Sequence, residues 1–233
     1  MSCQTQRGAT LISTMIGLLL GLLAVLSVMT LYKTQVNQTL QTRINTSIDA
    51  QVASALLVTQ LEMQQAGFGV ESASNSCLGL TAAGPSGTAN TDLVLLSAAT
   101  LTGTTLAGTV QSIGAVGATA VTGNAMVWRS VDAGSASRCS GLIAMQGGLK
   151  LLPRVTCSNA SAWAGATWTP AQDVIPADTL PLDKAMVFSA RMTSCAPFGR
   201  IATSPGLELT TTVGQSMNNI TSGAISCIPN ICR

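Results

Sequence analysis

Residues 7–33, RGATLISTMIGLLLGLLAVLSVMTLYK, decide how the rest of the chain is read. No charged side chain lies between Arg7 and Lys33. Leu11 to Tyr32 is 22 residues, about 33 Å as an α-helix, which covers the hydrocarbon core of a bilayer. A secretion signal has a shorter apolar core, a more basic lead-in and a small-x-small cleavage site behind it. Here Arg7 is the only charge ahead of the run, and polar Lys33, Gln35, Asn37 and Gln38 follow it directly. The run therefore reads as a membrane span that is kept. Gly17 and Gly21 form G-x-x-x-G, a spacing that lets two membrane helices approach closely. Glycines merely tolerated in a membrane helix give the same pattern.

The rest of the composition narrows the chemistry. The chain has 233 residues, of which 9% are charged and 3% aromatic, with a net charge of +2. This is room for one domain plus an appendage. There is no basic cluster, so no grip on phosphates and no nucleic-acid partner is expected. There is no histidine. That removes the commonest general base and the commonest metal ligand, and excludes Ser-His-Asp and Cys-His mechanisms. No other pairing of acidic groups looks catalytic, so the chain is not expected to be an enzyme and no catalytic residue is assigned.

Of seven cysteines, Cys3 precedes the apolar run, while Cys77, Cys139, Cys157, Cys195, Cys227 and Cys232 follow it. Six on one side suggest a disulfide framework in an oxidising compartment. A zinc site would want C-x2-C pairs, and the closest pair, Cys227 and Cys232, has four residues between its members. No metal or cofactor is expected. Six cysteines allow about 15 pairings. Cys227 with Cys232 would close CIPNIC, Cys139 with Cys157 would staple a hairpin, and Cys77 with Cys195 would remain.

Beyond Lys33 the helical pattern continues. Val36, Leu40, Ile44, Ile48, Val52 and Leu56 recur every four residues, so the apolar stripe drifts around the helix. The helix is expected to run to about Gln65 and to stop at Ala66-Gly67-Phe68-Gly69, with Gly67 as the left-handed terminator.

A short polar leader, a glycine, then Thr10-Leu11-Ile12 and an unbroken apolar helix resembles the class III signal of type IV pilins and pseudopilins. The stretch QLEMQQAGF, Gln60 to Phe68, with Cys77 soon after, resembles the PilW-type minor pilins of that family. KAMVFSARM, Lys184 to Met192, resembles their late strand, and TTTVGQSMNNI, Thr210 to Ile220, more loosely their closing strand. The resemblance implies cleavage by a prepilin peptidase between Gly8 and Ala9, and N-methylation of Ala9. The usual phenylalanine at that position is absent. It also implies a departure. The family's fifth mature residue is usually glutamate, and here it is Ser13, which offers a hydrogen bond but no charge. In the family this pattern belongs to a minor subunit at the tip; plain sequence drift gives it too.

Under this resemblance residues 1–8 are a leader, and 9–66 a long helix that crosses the membrane over about 11–32. Residues 67–233 form a β-rich periplasmic or extracellular head. The fold class is α+β: a pilin-like helix leaned on an antiparallel sheet, with Val52, Leu56 and Met63 against one sheet face. The implied function is that of a minor pilin in pilus assembly or priming, and so in twitching motility, adhesion or DNA uptake. Its implied partners are other pilins through the helix, the prepilin peptidase and the inner membrane, with Ser13, Gly17 and Gly21 as assembly positions. A type II secretion pseudopilin carries the same signal and is the alternative; a membrane-anchored periplasmic enzyme is the third.

In the head, strands are expected over Asp92–Ala98, Ala125–Val131, Leu149–Cys157, Ala185–Met192 and Leu207–Val213, each bounded by turn residues. Thr100 to Gly123 reads as either a loop or two poor strands. Asp173, Asp178 and Asp183 could reach a calcium ion, but lie in a Pro-rich stretch that reads as a plain connector. Trp163 and Trp168 are expected to anchor the core, with an exposed partner-binding patch as the alternative.

Overall fold

A computed structural model describes residues 11–70, 92–181, 185–194, 206–214 and 221–231. The chain divides into two compact units, one ending at Ser47 and one starting at Ile48. Helix α1, Leu11–Met63, has 53 residues. Nothing in that stretch stops it: it has no proline, and glycine only at positions 17 and 21. Its hydroxyls bond back onto the helix, as Thr14 to the Leu11 carbonyl, Thr30 to Ser27 and Thr34 to Thr30. This satisfies them without an outside partner.

The head holds ten strands among the described residues: β1 (Leu93–Thr102), β2 (Thr105–Gln111), β3 (Val121–Gly123), β4 (Ala125–Val131), β5 (Ser137–Met145), β6 (Gly148–Thr156), β7 (Gln172–Ile175), β8 (Val187–Thr193), β9 (Gly206–Gly214) and β10 (Thr221–Ile228). They form two antiparallel sheets, ordered β2-β1-β4-β5-β6-β7 and β10-β9-β8-β3. A single sheet was expected, so this is a correction. The helix on an antiparallel head stands as expected.

The central strands are buried on both faces, so their residues alternate between two apolar clusters. Leu93, Leu95, Met126, Trp128, Leu142 and Ala144 face a cluster completed by Val52, Ala55, Met63 of α1 and by Phe188, Leu207, Leu209 of the smaller sheet. Leu56 packs at its margin. Val94, Leu96, Ala125, Val127 and Ile143 face the other way, against Ala160 and Trp168. Segment 157–171 covers that second face, with a 3₁₀ turn at Ala160–Gly165. Trp168 is fully buried; its Nε1 donates to the Trp163 carbonyl (3.0 Å) and its backbone N–H to the Thr104 carbonyl (2.9 Å). Trp163 is half-buried against the same cluster. Both tryptophans serve the core.

The stretch 100–123 contains two strands, β2 and β3, rather than a loop. β1 does not end at Ala98. It passes through a bulge between Ser97 and Thr100, where Ala98 adopts φ +49°. The Asn124 side chain holds the bulge: its Oδ1 accepts from the Ala99 N–H (2.7 Å), and its Nδ2 donates to the Ala99 and Ala144 carbonyls. β5, β7 and β10 had no counterpart in the sequence reading. β7 lies inside the supposed plain connector. The closing strand is Thr221–Ile228, past the segment read for it.

Cys139 and Cys157 are disulfide-bonded across the β5–β6 hairpin, with Cα atoms 5.7 Å apart and a sequence separation of 18. Replacing both with alanine is expected to lower head stability by about 2–4 kcal/mol in a denaturant titration. An unchanged midpoint would show that the bond constrains little. Cys227 is also disulfide-bonded; its partner lies outside the described residues, as do Cys77, Cys195 and Cys232.

Candidate functional site

The helix before Ser47 is the feature of the chain that needs a partner. Every residue from Leu11 to Tyr32 is exposed; Leu19, Leu20, Leu22 and Leu23 are each more than half accessible. α1 is long and apolar enough to cross a membrane, and none of its most apolar window is buried within the chain. Leaving fifteen large apolar side chains in water would cost on the order of tens of kcal/mol relative to covering them. Lipid or other helices must therefore cover this segment. Gly17 and Gly21 have nothing within 4 Å of where a Cβ would sit. With Ser13 they make a four-residue series of small side chains along the helix, as expected from the sequence. Gly8 and Ala9 lie outside the described residues.

The four-residue stripe changes role along its length. Val36, Leu40 and Ile44 are exposed. Ile48 is half-buried against the head core, and Val52 is 2% exposed. From there Val52, Ala55, Thr59 and Met63 form the buried face of α1.

Where α1 stops, the chain docks onto β4. β1 pairs with β4 only as far as Leu93 opposite Trp128, and the Arg129 N–H donates to the Asp92 carbonyl (2.8 Å). Beyond that point the post-helix turn takes over the free edge. The Gly67 N–H donates to the Arg129 carbonyl (2.8 Å), and the Val131 N–H to the Phe68 carbonyl (2.8 Å). Arg129 is held in turn: its Nε lies 3.3 Å from Oδ1 of the fully buried Asp92, and its Nη1 donates to the Ser158 carbonyl (2.9 Å). The Arg154 guanidinium donates to the Gln65 side chain from β6. Sequence reading identified Gly67 as a helix stop but missed its partner strand.

Both glycines of the turn are required by geometry. Gly67 has φ +71°, and a Cβ there would sit 2.8 Å from the Asn230 carbonyl oxygen; Gly69 has φ +70°, and its Cβ would sit 2.9 Å from that of Val131. Gly67→Ala is expected to cost about 2–3 kcal/mol, from left-handed strain plus the clash. Thermal unfolding of the variant checks this, and a shift within error of zero would mean the turn relaxes freely.

The proposed calcium ligands are not assembled. Lys150 Nζ engages the Asp173 carboxylate across β6 and β7. The Asp178 N–H donates to the Gln146 carbonyl in a turn (2.7 Å), and Asp183 lies outside the described residues. Among the described residues no three His, Cys, Asp or Glu side chains cluster. On the outer face of the smaller sheet, Arg191 donates to Glu208 at 2.6 Å, and that hydrogen bond raises the guanidinium pKa further above its ordinary value.

Comparison with protein-family models, with curated proteins and with solved structures finds no match to this chain.

Proposed function

We propose that this chain is a minor pilin of the PilW type, cleaved between Gly8 and Ala9 and held in the inner membrane by its helix until it joins a filament. The observation that carries the reading is the exposure of Leu11–Tyr32 in a helix whose last turns belong to the head core. A discarded export signal has no reason to continue into a domain's core. A subunit that moves from lipid into a bundle of like helices needs this arrangement. It needs an apolar rod with no partner in its own chain and a folded head attached without a break. Gly17 and Gly21 supply close approach to a neighbouring helix. Ser13, lacking the family's usual carboxylate, suits a position with no subunit beyond it.

Mass spectrometry of the membrane-extracted protein tests the reading. The expected N-terminus is N-methyl-Ala9, with the six cysteines after the span oxidised. An intact Met1, or a chain beginning past Tyr32, would overturn it. Deletion then separates the two assemblies that share this signal: loss of twitching supports the pilus, and loss of protein secretion alone supports the pseudopilin.

A further inference from the structure

Two sheets give the head four outer strands, and three of them are ill-suited to pairing with another chain. β3 has three residues. β7 has four, lies between Pro170 and Pro176, and carries Asp173. β2 pairs with a bulged neighbour, and the bulge breaks its register. Short strands, prolines, charges and bulges are the devices that keep sheet edges from recruiting partners. β10 has none of them. Thr221–Ile228, TSGAISCI, contains no charge and no proline, and runs in unbroken register beside β9 for all eight residues. No second strand flanks it among the described residues.

The open edge can be oriented from one contact. Gln60 Nε2 of α1 donates to the Ile225 carbonyl at 3.5 Å, a long bond from a side chain. That carbonyl therefore points away from β9. By the alternation of an antiparallel ladder, Gly223 points its main-chain groups the same way. Both residues are exposed, Ile225 at 66%. Gln60 is a light cover for such an edge, and another strand would replace it with a full ladder.

We infer that β10 is a homotypic docking strand, which pairs antiparallel with β10 of a second copy about a two-fold axis through Ala224. Three features favour a second copy as the occupant. An isologous contact needs a surface complementary to itself, and an uncharged strand meets its own copy without repulsion. The register centred on Ala224 sets Gly223 opposite Ile225 of the other copy and the reverse, so each exposed isoleucine covers a glycine that has no side chain. The same register makes Gly223 and Ile225 the hydrogen-bonded pairs, in agreement with the outward carbonyl that Gln60 reports. The paired β10 strands join two four-stranded sheets into one of eight. This inference does not rest on the proposed function.

Cysteine trapping tests it in the full chain in detergent micelles. Ala224 meets its own copy at a non-hydrogen-bonded position, where Cα atoms lie about 4.5 Å apart, within reach of a disulfide. Ala224→Cys under mild oxidation is expected to run as a covalent dimer on non-reducing electrophoresis. Ser226→Cys, on the same face but opposite Ser222 of the other copy, is expected to stay monomeric. Adding Ile225→Lys to Ala224→Cys is expected to reduce the dimer about tenfold or more, as a charge on the edge opposes pairing. Unfolding curves matching the parent establish that each variant is folded. A monomeric, folded Ala224→Cys, or equal cross-linking by Ser226→Cys, would overturn the inference.

Discussion

Trp128→Ala is expected to remove about 3–5 kcal/mol from the stability of the head, lowering its thermal midpoint by about 10 °C. Trp128 is fully buried on β4, opposite Leu93 of β1 on one side and Ser140 of β5 on the other. It belongs to the cluster that joins Val52, Ala55 and Met63 of α1 to both sheets. The large sheet and the post-helix turn meet at its neighbour Arg129, so the surrounding backbone is pinned and cannot collapse into the void. That is the circumstance in which a cavity costs most. Trp128→Phe separates packing from polarity. The indole Nε1–H is buried and finds no acceptor among the described residues, so phenylalanine loses volume but no hydrogen bond. Its cost is expected to stay below about 2 kcal/mol. Denaturant titrations of the two variants check the contrast. Equal losses would mean that the indole N–H is bonded in solution and that polarity, not volume, dominates this site.

The elements the sequence revealed are those in which burial and residue type agree. β4 is AMVWRSV, apolar on both faces at its start and followed by polar groups, and its boundaries were legible to the residue. α1 was legible because nothing between Leu11 and Met63 interrupts it. The strands that escaped are built from small or polar residues. β5 opens SRCSG and β10 reads TSGAISC; neither offers the branched apolar alternation that marks a strand, and both owe their pairing to neighbours supplied from elsewhere. The β5–β6 hairpin turns on Gln146 and Gly147, both at positive φ (+51° and +65°), a two-residue turn suited to twisted strands. The glutamine conceals it from a search for Asn-Gly or Asp-Gly. The bulge at Ala98 hid the second half of β1 for a similar reason: the residue that makes it possible, Asn124, is distant in sequence.

At the site the same division holds. The exposed apolar helix is a local property and was visible from residue types alone. The docking of Gly67 and Phe68 on β4 is long-range, and the glycines gave only half of it, the stop without the partner. The Cys139–Cys157 bond was accessible because a hairpin of suitable length was expected between them.

Charges placed in the apolar span give the second large effect, and magnitude decides how many are needed. Leu11 to Tyr32 contains twelve Leu, Ile and Val residues, which together favour membrane insertion by about 4–7 kcal/mol on an insertion scale. One arginine near the centre costs about 2.5–3.5 kcal/mol. Leu22→Arg alone therefore leaves insertion favoured, and the variant is expected to remain in the membrane after alkaline extraction. Leu19→Arg with Leu22→Arg costs about 5–7 kcal/mol, which cancels the span's advantage. The two positions are three residues apart and share a helix face, so tilting cannot carry both side chains to opposite interfaces. The double variant is expected to lose most of its membrane fraction, while Leu57→Arg/Leu61→Arg, on the exposed side of the helix within the head unit, retains it. Retention of the Leu19→Arg/Leu22→Arg chain in the membrane would mean that something other than this helix holds it there, and the reading of the apolar segment as the anchor would fail with it.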